Sequence, residues 1–408
     1  MKVTLLTKEY PPYVYGGAGV HVKHLSRQMA ELIDVEVRCM GEQNSTQEHL
    51  QVKGYQPWNR MSASDNQKFN STLATFSANL SMVRDTMDSD VVHSHTWYAS
   101  LAGYMAKMLY NIPFVATVHS LEPLRPWKEE QLGRSYHLTS WAERVALENA
   151  DRIVAVSQNS RSEILQYFNV DPQRVVVIHN GIDTDVWRPS VAKATGEQFG
   201  VQKDYILFVG RTSRQKGMNH LIDAMRYVDP GVQLVCCTSA PDTPEIEREI
   251  AGRVAEQSRV LWINQLLRED QYIELYSHAR LFACPSIYEP FGIINLEAMA
   301  CEKPVVASAV GGIREVVVPG ETGYLVPPAD PKALAEAINA VLRDKNKARR
   351  MGLTGRRRVE NHFTWRTIAR QTLELYWELI RDSKPAPLFL PMTARLQLSA
   401  RGHALIEH

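Results

Sequence analysis

Short apolar runs of strand length alternate with helix-length segments from the first residues onward, and about halfway along the chain the alternation stops and starts again. In the first half, residues 3–7, 35–39, 91–93, 113–119, 152–157 and 175–178 read as strands; in the second half, 205–209, 232–236, 260–263, 281–284, 304–307 and 323–326 do. Helical spacing fills the gaps, over 20–32, 66–87, 97–109 and 140–150, and again over 218–227, 244–257, 293–300, 331–343 and 349–360. A strand that returns through a helix pairs parallel with its predecessor, and parallel sheets are buried on both faces. The expected class is therefore α/β, with two doubly wound, Rossmann-like domains. Composition turns polar after Trp187, Arg188 and Pro189, which divides the chain into 1–189 and 190–364. Residues 365–384 hold one more amphipathic helix, 385–408 read as an appended tail, and the stretch 41–64 reads as polar and irregular, with no assignable role.

In open α/β sheets ligands bind outside the carboxyl ends of the strands, so the loops at those ends carry the functional signal. The first such loop, 8–19, contains Gly16, Gly17 and Gly19 ahead of a helix, an arrangement that can turn backbone amides toward a phosphate. Its glycine spacing is not the dinucleotide fingerprint, and a tight turn is the simpler reading. The strand 113–119 delivers His119 and Ser120 to the same edge. In the second half Arg211 and Lys216 share one strand-to-helix loop, where they can neutralise a leaving diphosphate from two directions or stand as exposed cations.

The most informative stretch is PSIYEPFGIINLEAMACEKPVVASAVGG, residues 285–312. A strand feeds a loop carrying Glu289; Gly292 then opens a helix carrying Glu297. Glycine lets a backbone come close to whatever lies over a helix N-terminus, and two carboxylates can hold sugar and ribose hydroxyls by charge-assisted hydrogen bonds. The alternative is a solvated loop and an ordinary helix face. Residues 264–267 leave a strand beside the same edge and could flank a base, and Gly311 and Gly312 form a second loop facing the site.

Composition narrows the classes. A formal net charge of +1 gives no nucleic-acid footprint, and the basic run between Lys345 and Arg358 reads as a solvated helix face. Five cysteines without metal-ligand spacing point to reduced, buried thiols in a cytoplasmic protein; no metal site is expected. No apolar stretch near Met1 is long enough for a signal peptide or a membrane span.

Six stretches, KEYPPYVYGGAGVHV, HSHTWYASLAG, TVHSLEPLRPWKEEQLG, HNGIDTDVW, GRTSRQKG and YEPFGIINLEAMA, together spread the signal over about the first 380 residues. In them the chain resembles retaining glycosyltransferases of the GT-B fold, in particular bacterial glycogen synthases of the short actinobacterial kind, a group that includes enzymes making maltose 1-phosphate. The resemblance implies two domains facing across a cleft that closes on substrate, with the last helix crossing back to the first domain. It implies ADP-glucose as donor substrate, no cofactor, an α-1,4 bond formed with retention, and either an α-1,4-glucan or glucose 1-phosphate as acceptor. It makes His119, Arg211, Lys216 and Glu289 catalytic, and Gly16, Gly17, Gly292, Ile293 and Glu297 substrate-binding. Arg125 and Lys128 could serve an acceptor phosphate or simply pair with Glu129 and Glu130. Competing readings are a transferase using a UDP or GDP sugar and a non-catalytic glucan-binding protein.

Overall fold

The structure is a computed structural model that describes residues 1–383 except Tyr15, Lys203 and Ala240. The expected tail, 385–408, lies outside the described residues. The first sheet has eight strands: β1 (Lys2–Thr7), β2 (Asp34–Met40), β3 (Asn44–Gln47), β4 (Leu50–Tyr55), β5 (Val91–His95), β6 (Phe114–Val118), β7 (Arg152–Ala155) and β8 (Val175–Val177). They lie in the order β3-β4-β2-β1-β5-β6-β7-β8, all parallel except the β3–β4 pair. The second sheet has six parallel strands: β9 (Tyr205–Arg211), β10 (Gln233–Ser239), β11 (Val260–Asn264), β12 (Leu281–Cys284), β13 (Val305–Ser308) and β14 (Gly323–Val326). Their order is β11-β10-β9-β12-β13-β14. In each sheet the order reverses at the first strand, β1 or β9, and the crevice at that reversal is where an open α/β sheet accepts a ligand.

Helices cover both faces of each sheet, and the side chains of β1 divide between two cores. Val3 and Leu5 face a cluster built from Val22 and Leu25 of the helix Gly17–Ala30 and from Ile368, Tyr376 and Leu379 of the last helix, Trp365–Ser383. Leu6 faces the opposite core with Phe114 and Ala102. The last helix thus belongs to the first sheet although it follows the second in sequence. Where the chain crosses between the sheets, the Ile182 amide donates to the Phe363 carbonyl at 2.7 Å.

The two units also touch directly. Ser157 donates its hydroxyl to the Pro290 carbonyl at 2.8 Å, and the Glu315 carboxylate accepts from the Gln158 amide at 2.8 Å while lying 3.0 Å from His179 Nε2. Glu315 therefore caps the first-domain helix Gln158–Tyr167 from the second domain, where an anion favours the helix dipole.

Two expectations are corrected here. The stretch 41–64 is not irregular: it contains β3, β4 and a short 3-10 turn at Asn59–Ser62. The β3 residues are all exposed, so no apolar alternation marks them; in β4 only Leu50, Val52 and Tyr55 are buried. The basic run is not wholly a solvated face either. Arg356 donates to the carbonyls of Trp187, Ala300 and Thr184, and Arg358 to those of Val316 and Glu315, so two of its guanidiniums clamp backbone between elements.

Gly352, inside the helix Lys345–His362, shows how tightly these elements pack. An added Cβ would stand 2.0 Å from the Glu302 carbonyl oxygen. Alanine in a helix interior normally gains about 1 kcal/mol over glycine. Here the backbone contact should reverse the sign, and Gly352→Ala should lose about 1–3 kcal/mol in urea unfolding. A midpoint equal to or above wild type would contradict this packing.

Candidate active site in the interdomain cleft

The crevices at β1 and β9 open onto one cavity of about 310 Å³ between the domains. Gly16, Gly17 and His119 lie on its first-domain wall, and Arg211, Lys216, Glu289, Gly292 and Ile293 on its second-domain wall. Gly311, Gly312 and residues 264–267, expected beside the site, do not line this space; of the nine residues given catalytic or substrate-binding roles, all border it except Glu297. That carboxylate lines an adjoining cavity of about 400 Å³, walled also by Lys23, His24, Arg27 and Trp365. Ile293 borders both cavities, and Glu297 follows it by one helical turn on the same face, so the helix Ile293–Ala300 runs from one chamber to the next.

Backbone close approach brings the second-domain groups together. Gly217, at φ +66, ends the loop after β9; a Cβ there would lie 2.1 Å from the Pro285 carbonyl oxygen, so glycine alone lets the two loops touch. This contact carries Lys216 to Glu289, whose Oε2 accepts from Lys216 Nζ at 2.5 Å and from the Ser286 hydroxyl at 3.1 Å. Gly292, at φ +90, turns the chain so that the amides of the helix Ile293–Ala300 open into the cavity. Arg211 is braced by Asp242 at 3.0 Å and by Gln215 at 3.4 Å.

On the first-domain wall the Gly16 amide donates to Glu9 Oε2 at 2.7 Å, so the glycine loop is held by a carboxylate that the sequence reading passed over. Gly17 faces the second domain, its Cβ position 3.5 Å from Ile293 Cδ1.

His119 belongs to a cluster. His95 Nδ1 lies 3.2 Å from His119 Nε2, the His21 ring packs 4.8 Å from that of His119, and His93 stacks behind His95 at 4.3 Å. Asn180 Oδ1 holds His21 Nδ1 at 2.7 Å, and Tyr376 and Thr117 hold His93. Burial, above all, drives His21 down to about 4, His93 to about 3, and His95 and His119 well below the ordinary imidazole range. At neutral pH the cluster is uncharged. Nitrogens of His21, His95 and His119 lie within 4.8 Å of one another, a grouping capable of ligating a metal ion that the sequence reading did not anticipate. His93 and His95 are two residues apart on one strand and so share a face, which is the one local sign of the cluster.

The remaining first-domain wall is basic. Lys8 Nζ stands 4.2 Å over the Tyr98 ring, and Lys128 Nζ lies 3.4 Å from the Tyr98 hydroxyl. Arg125 Nη1 donates to Ser120 Oγ at 2.7 Å and lies 3.5 Å from Glu122 Oε1. Neither Arg125 nor Lys128 pairs with Glu129 or Glu130, which removes the local-pair alternative; Glu129 lies 3.8 Å from His137 instead. Burial first, and the neighbouring Arg125 second, push the Lys128 ammonium down to about 8.

With this geometry in place, the comparisons decide the family. Residues 15–186 match the family Glycosyltransferase Family 4, and residues 194–358 match Glycosyl transferases group 1. The α-maltose-1-phosphate synthase of Mycolicibacterium smegmatis is 47% identical over 392 residues, spanning 92% of this chain and 99% of that one. The chain is a GT-B glycosyltransferase of the glycogen synthase and maltose-1-phosphate synthase family. Within it, the glycogen synthase of Mycobacterium tuberculosis is 30% identical over 439 residues, 96% of this chain and 98% of that one. Sucrose-phosphate synthase from Thermosynechococcus elongatus superposes with a TM-score of 0.78 at 26% identity, covering 94% and 100% of the two chains. For a glycosyltransferase of this family the cavity at the two sheet reversals is the natural place for chemistry, and no helix among the described residues is long and apolar enough to cross a membrane.

The neutral histidine cluster has a thermodynamic consequence. An imidazole whose folded pKa is depressed to about 4 binds its proton in the unfolded chain first, so stability is lost as pH falls from about 6.5 toward 4. Replacing His21 with Gln removes one such group and should flatten the pH slope of unfolding free energy in that window by about 1.4 kcal/mol per pH unit. Equal slopes for the variant and the parent protein would contradict the neutral buried state.

Proposed function

We propose that this glycosyltransferase moves the α-glucosyl group of ADP-glucose to glucose 1-phosphate, forming maltose 1-phosphate with retention of configuration. The observation that carries the choice of acceptor is the basic wall of Lys8, Arg125 and Lys128 across the cavity from the donor-side cations, in which Glu122 pairs only with Arg125 Nη1. A neutral glucan has no use for three clustered cations, two of them, Arg125 and Lys128, half-buried, whereas a sugar phosphate offsets their desolvation and repulsion. The name of the relative at 47% identity supports the same reading.

In this scheme Arg211 and Lys216 receive the charge that develops on the leaving diphosphate, and the amides of Gly17, Gly292 and Ile293 add their dipoles. Glu289 accepts from the glucose hydroxyls, Glu297 from the ribose, and His119, being uncharged, offers a neutral hydrogen bond to the sugar. The Lys216–Glu289 contact of 2.5 Å is the resting state: an arriving diphosphate draws Lys216 off and frees a Glu289 oxygen for the sugar. The C1–oxygen bond to the diphosphate breaks, the acceptor 4-oxygen bonds C1 on the same face, and its proton passes to the departing phosphate. A covalent glycosyl intermediate needs a carboxylate nucleophile at C1; in this scheme Glu289 is given to the glucose hydroxyls and Glu9 is engaged by the Gly16 amide, which supports direct same-face attack. No cofactor or resident metal is assigned a step. The five buried free cysteines support a cytoplasmic location.

ADP release from ADP-glucose, measured with glucose 1-phosphate, with glycogen, and with UDP-glucose replacing the donor, tests the assignment. Release should be fastest with ADP-glucose and glucose 1-phosphate, and Lys216→Ala should lower kcat by roughly 10²–10³-fold. Faster release with glycogen would overturn the acceptor, and an undiminished Lys216→Ala enzyme the leaving-group role.

Donor binding should also depend on pH. Burial, only partly offset by the Tyr276 hydroxyl at 3.1 Å, raises the Glu297 carboxyl to about 7. The acceptor of the ribose hydroxyls is its ionised form, so the KM for ADP-glucose should rise as pH falls through about 7, and Glu297→Gln should abolish that dependence. A pH-independent KM in the parent enzyme would separate Glu297 from the ribose.

A further inference from the structure

Directly behind the basic wall lies a carboxylate that does not reach the cavity. Glu122 has no exposed surface and opens a 3-10 turn, Glu122–Leu124, whose next residue is Arg125. In a 3-10 turn residues three apart eclipse one another, so the two side chains stack. The Arg125 amide donates to the Glu122 carbonyl at 2.9 Å, which fixes the turn. Glu122 Oε2 accepts from Thr139 Oγ1 at 2.9 Å, but Oε1 has no hydrogen-bond partner and points to Arg125 Nη1, 3.5 Å away.

A second carboxylate seals the arrangement from below. Glu143 Oε2 accepts from the Glu122 amide at 2.9 Å, and the Glu122 carbonyl accepts from the Tyr136 hydroxyl at 2.5 Å. Burial first, and the Glu122 carboxylate next, push the Glu143 carboxyl well above its usual range. Nothing in this layer touches the cavity except through the Arg125 side chain.

The guanidinium is therefore held from one end only. Nη1 is tied by Ser120 and by Glu122, while Nε and Nη2 have no hydrogen-bond partner among the described residues. That leaves the edge of the fork that pairs bidentately with a phosphate. We infer that Glu122 is a positioning residue: it aims the open edge of Arg125 at the acceptor's phosphate and so sets the enzyme's preference for a phosphorylated over an uncharged acceptor. The inference rests on the acceptor reading above and adds to it a residue that no substrate touches.

A mutant cycle tests it. KM and kcat for glucose 1-phosphate are measured at saturating ADP-glucose for the parent enzyme, Glu122→Gln, Arg125→Ala and the double variant. Glu122→Gln should raise the KM for glucose 1-phosphate by about tenfold, leave the KM for ADP-glucose unchanged, and add nothing further on the Arg125→Ala background. A general loss of structure would move both KM values and would persist on that background. An unchanged KM for glucose 1-phosphate in Glu122→Gln, or the same fold increase with and without Arg125, overturns the inference. Should Glu122→Gln fail to fold, Glu122→Asp, which keeps the charge and withdraws the oxygen from Arg125, goes through the same cycle with the same outcomes. Failure of the acceptor reading looks different: the parent enzyme then releases no ADP with glucose 1-phosphate, or Arg125→Ala leaves its KM untouched, and both inferences fall together.

Discussion

A lysine and a glutamate from two different strand-to-helix loops meet at 2.5 Å on the second-domain wall of the cleft, and they meet because Gly217 lets its loop lie on the Pro285 carbonyl. Partly buried opposite charges in such contact are stabilising only as long as both are present, since either one alone would be a desolvated charge. The pair fixes where the loop after β9 stands relative to the helix Ile293–Ala300. It thereby sets the Lys216 cation beside the Glu289 carboxylate on the cavity wall. The order reversal at β9 supplies the crevice, and Gly292 opens the helix N-terminus into it.

The first domain answers with the opposite electrostatic strategy. Four histidines from the helix Gly17–Ala30, β5 and the end of β6 are uncharged, three of them buried and His119 half-buried at the cleft, and three cations line the rim beyond them. A neutral floor beside a charged rim suits a ligand that is a sugar at one end and a phosphate at the other. The domains are held in register by the Glu315 carboxylate on the Gln158 amide, by Ser157 on the Pro290 carbonyl at the cavity wall, and by the last helix returning into the first core. Glu315 is itself part of the helix Ile313–Val316, so movement of one domain must break or carry that cap.

Much of this is visible in the sequence where one local rule decides the outcome. Residues 281–284 and 323–326 are bracketed by turn residues and occur as strands over those same positions; Ser157 and Asn159 both stand where the next helical run could be capped, and it is Ser157 that caps, accepting from the Ser160 amide. The site residues on loops after strands follow from the general placement of ligands at carboxyl ends. What was not legible depends on tertiary partners. β3 exposes all four residues and borrows its identity from pairing with β4. His21 joins His119 only because the helix after β1 packs over the end of β6, and no spacing announces that meeting. Arg356 and Arg358 look like two members of a solvated run until the carbonyls they clamp are seen. Glu122 is hidden for a related reason: a carboxylate three residues before an arginine is an ordinary surface pair unless the turn is known to be buried.

In the proposed reaction one cleft aligns a nucleotide-glucose on its second-domain wall with a phosphorylated sugar on its first-domain wall, for same-face transfer. Proton NMR of the product formed from ADP-glucose and glucose 1-phosphate tests it most directly. The expected product is a disaccharide phosphate with a new α-anomeric signal and no free glucose; a β-anomeric signal, or glucose accumulating in place of a disaccharide, would contradict same-face transfer between the two walls.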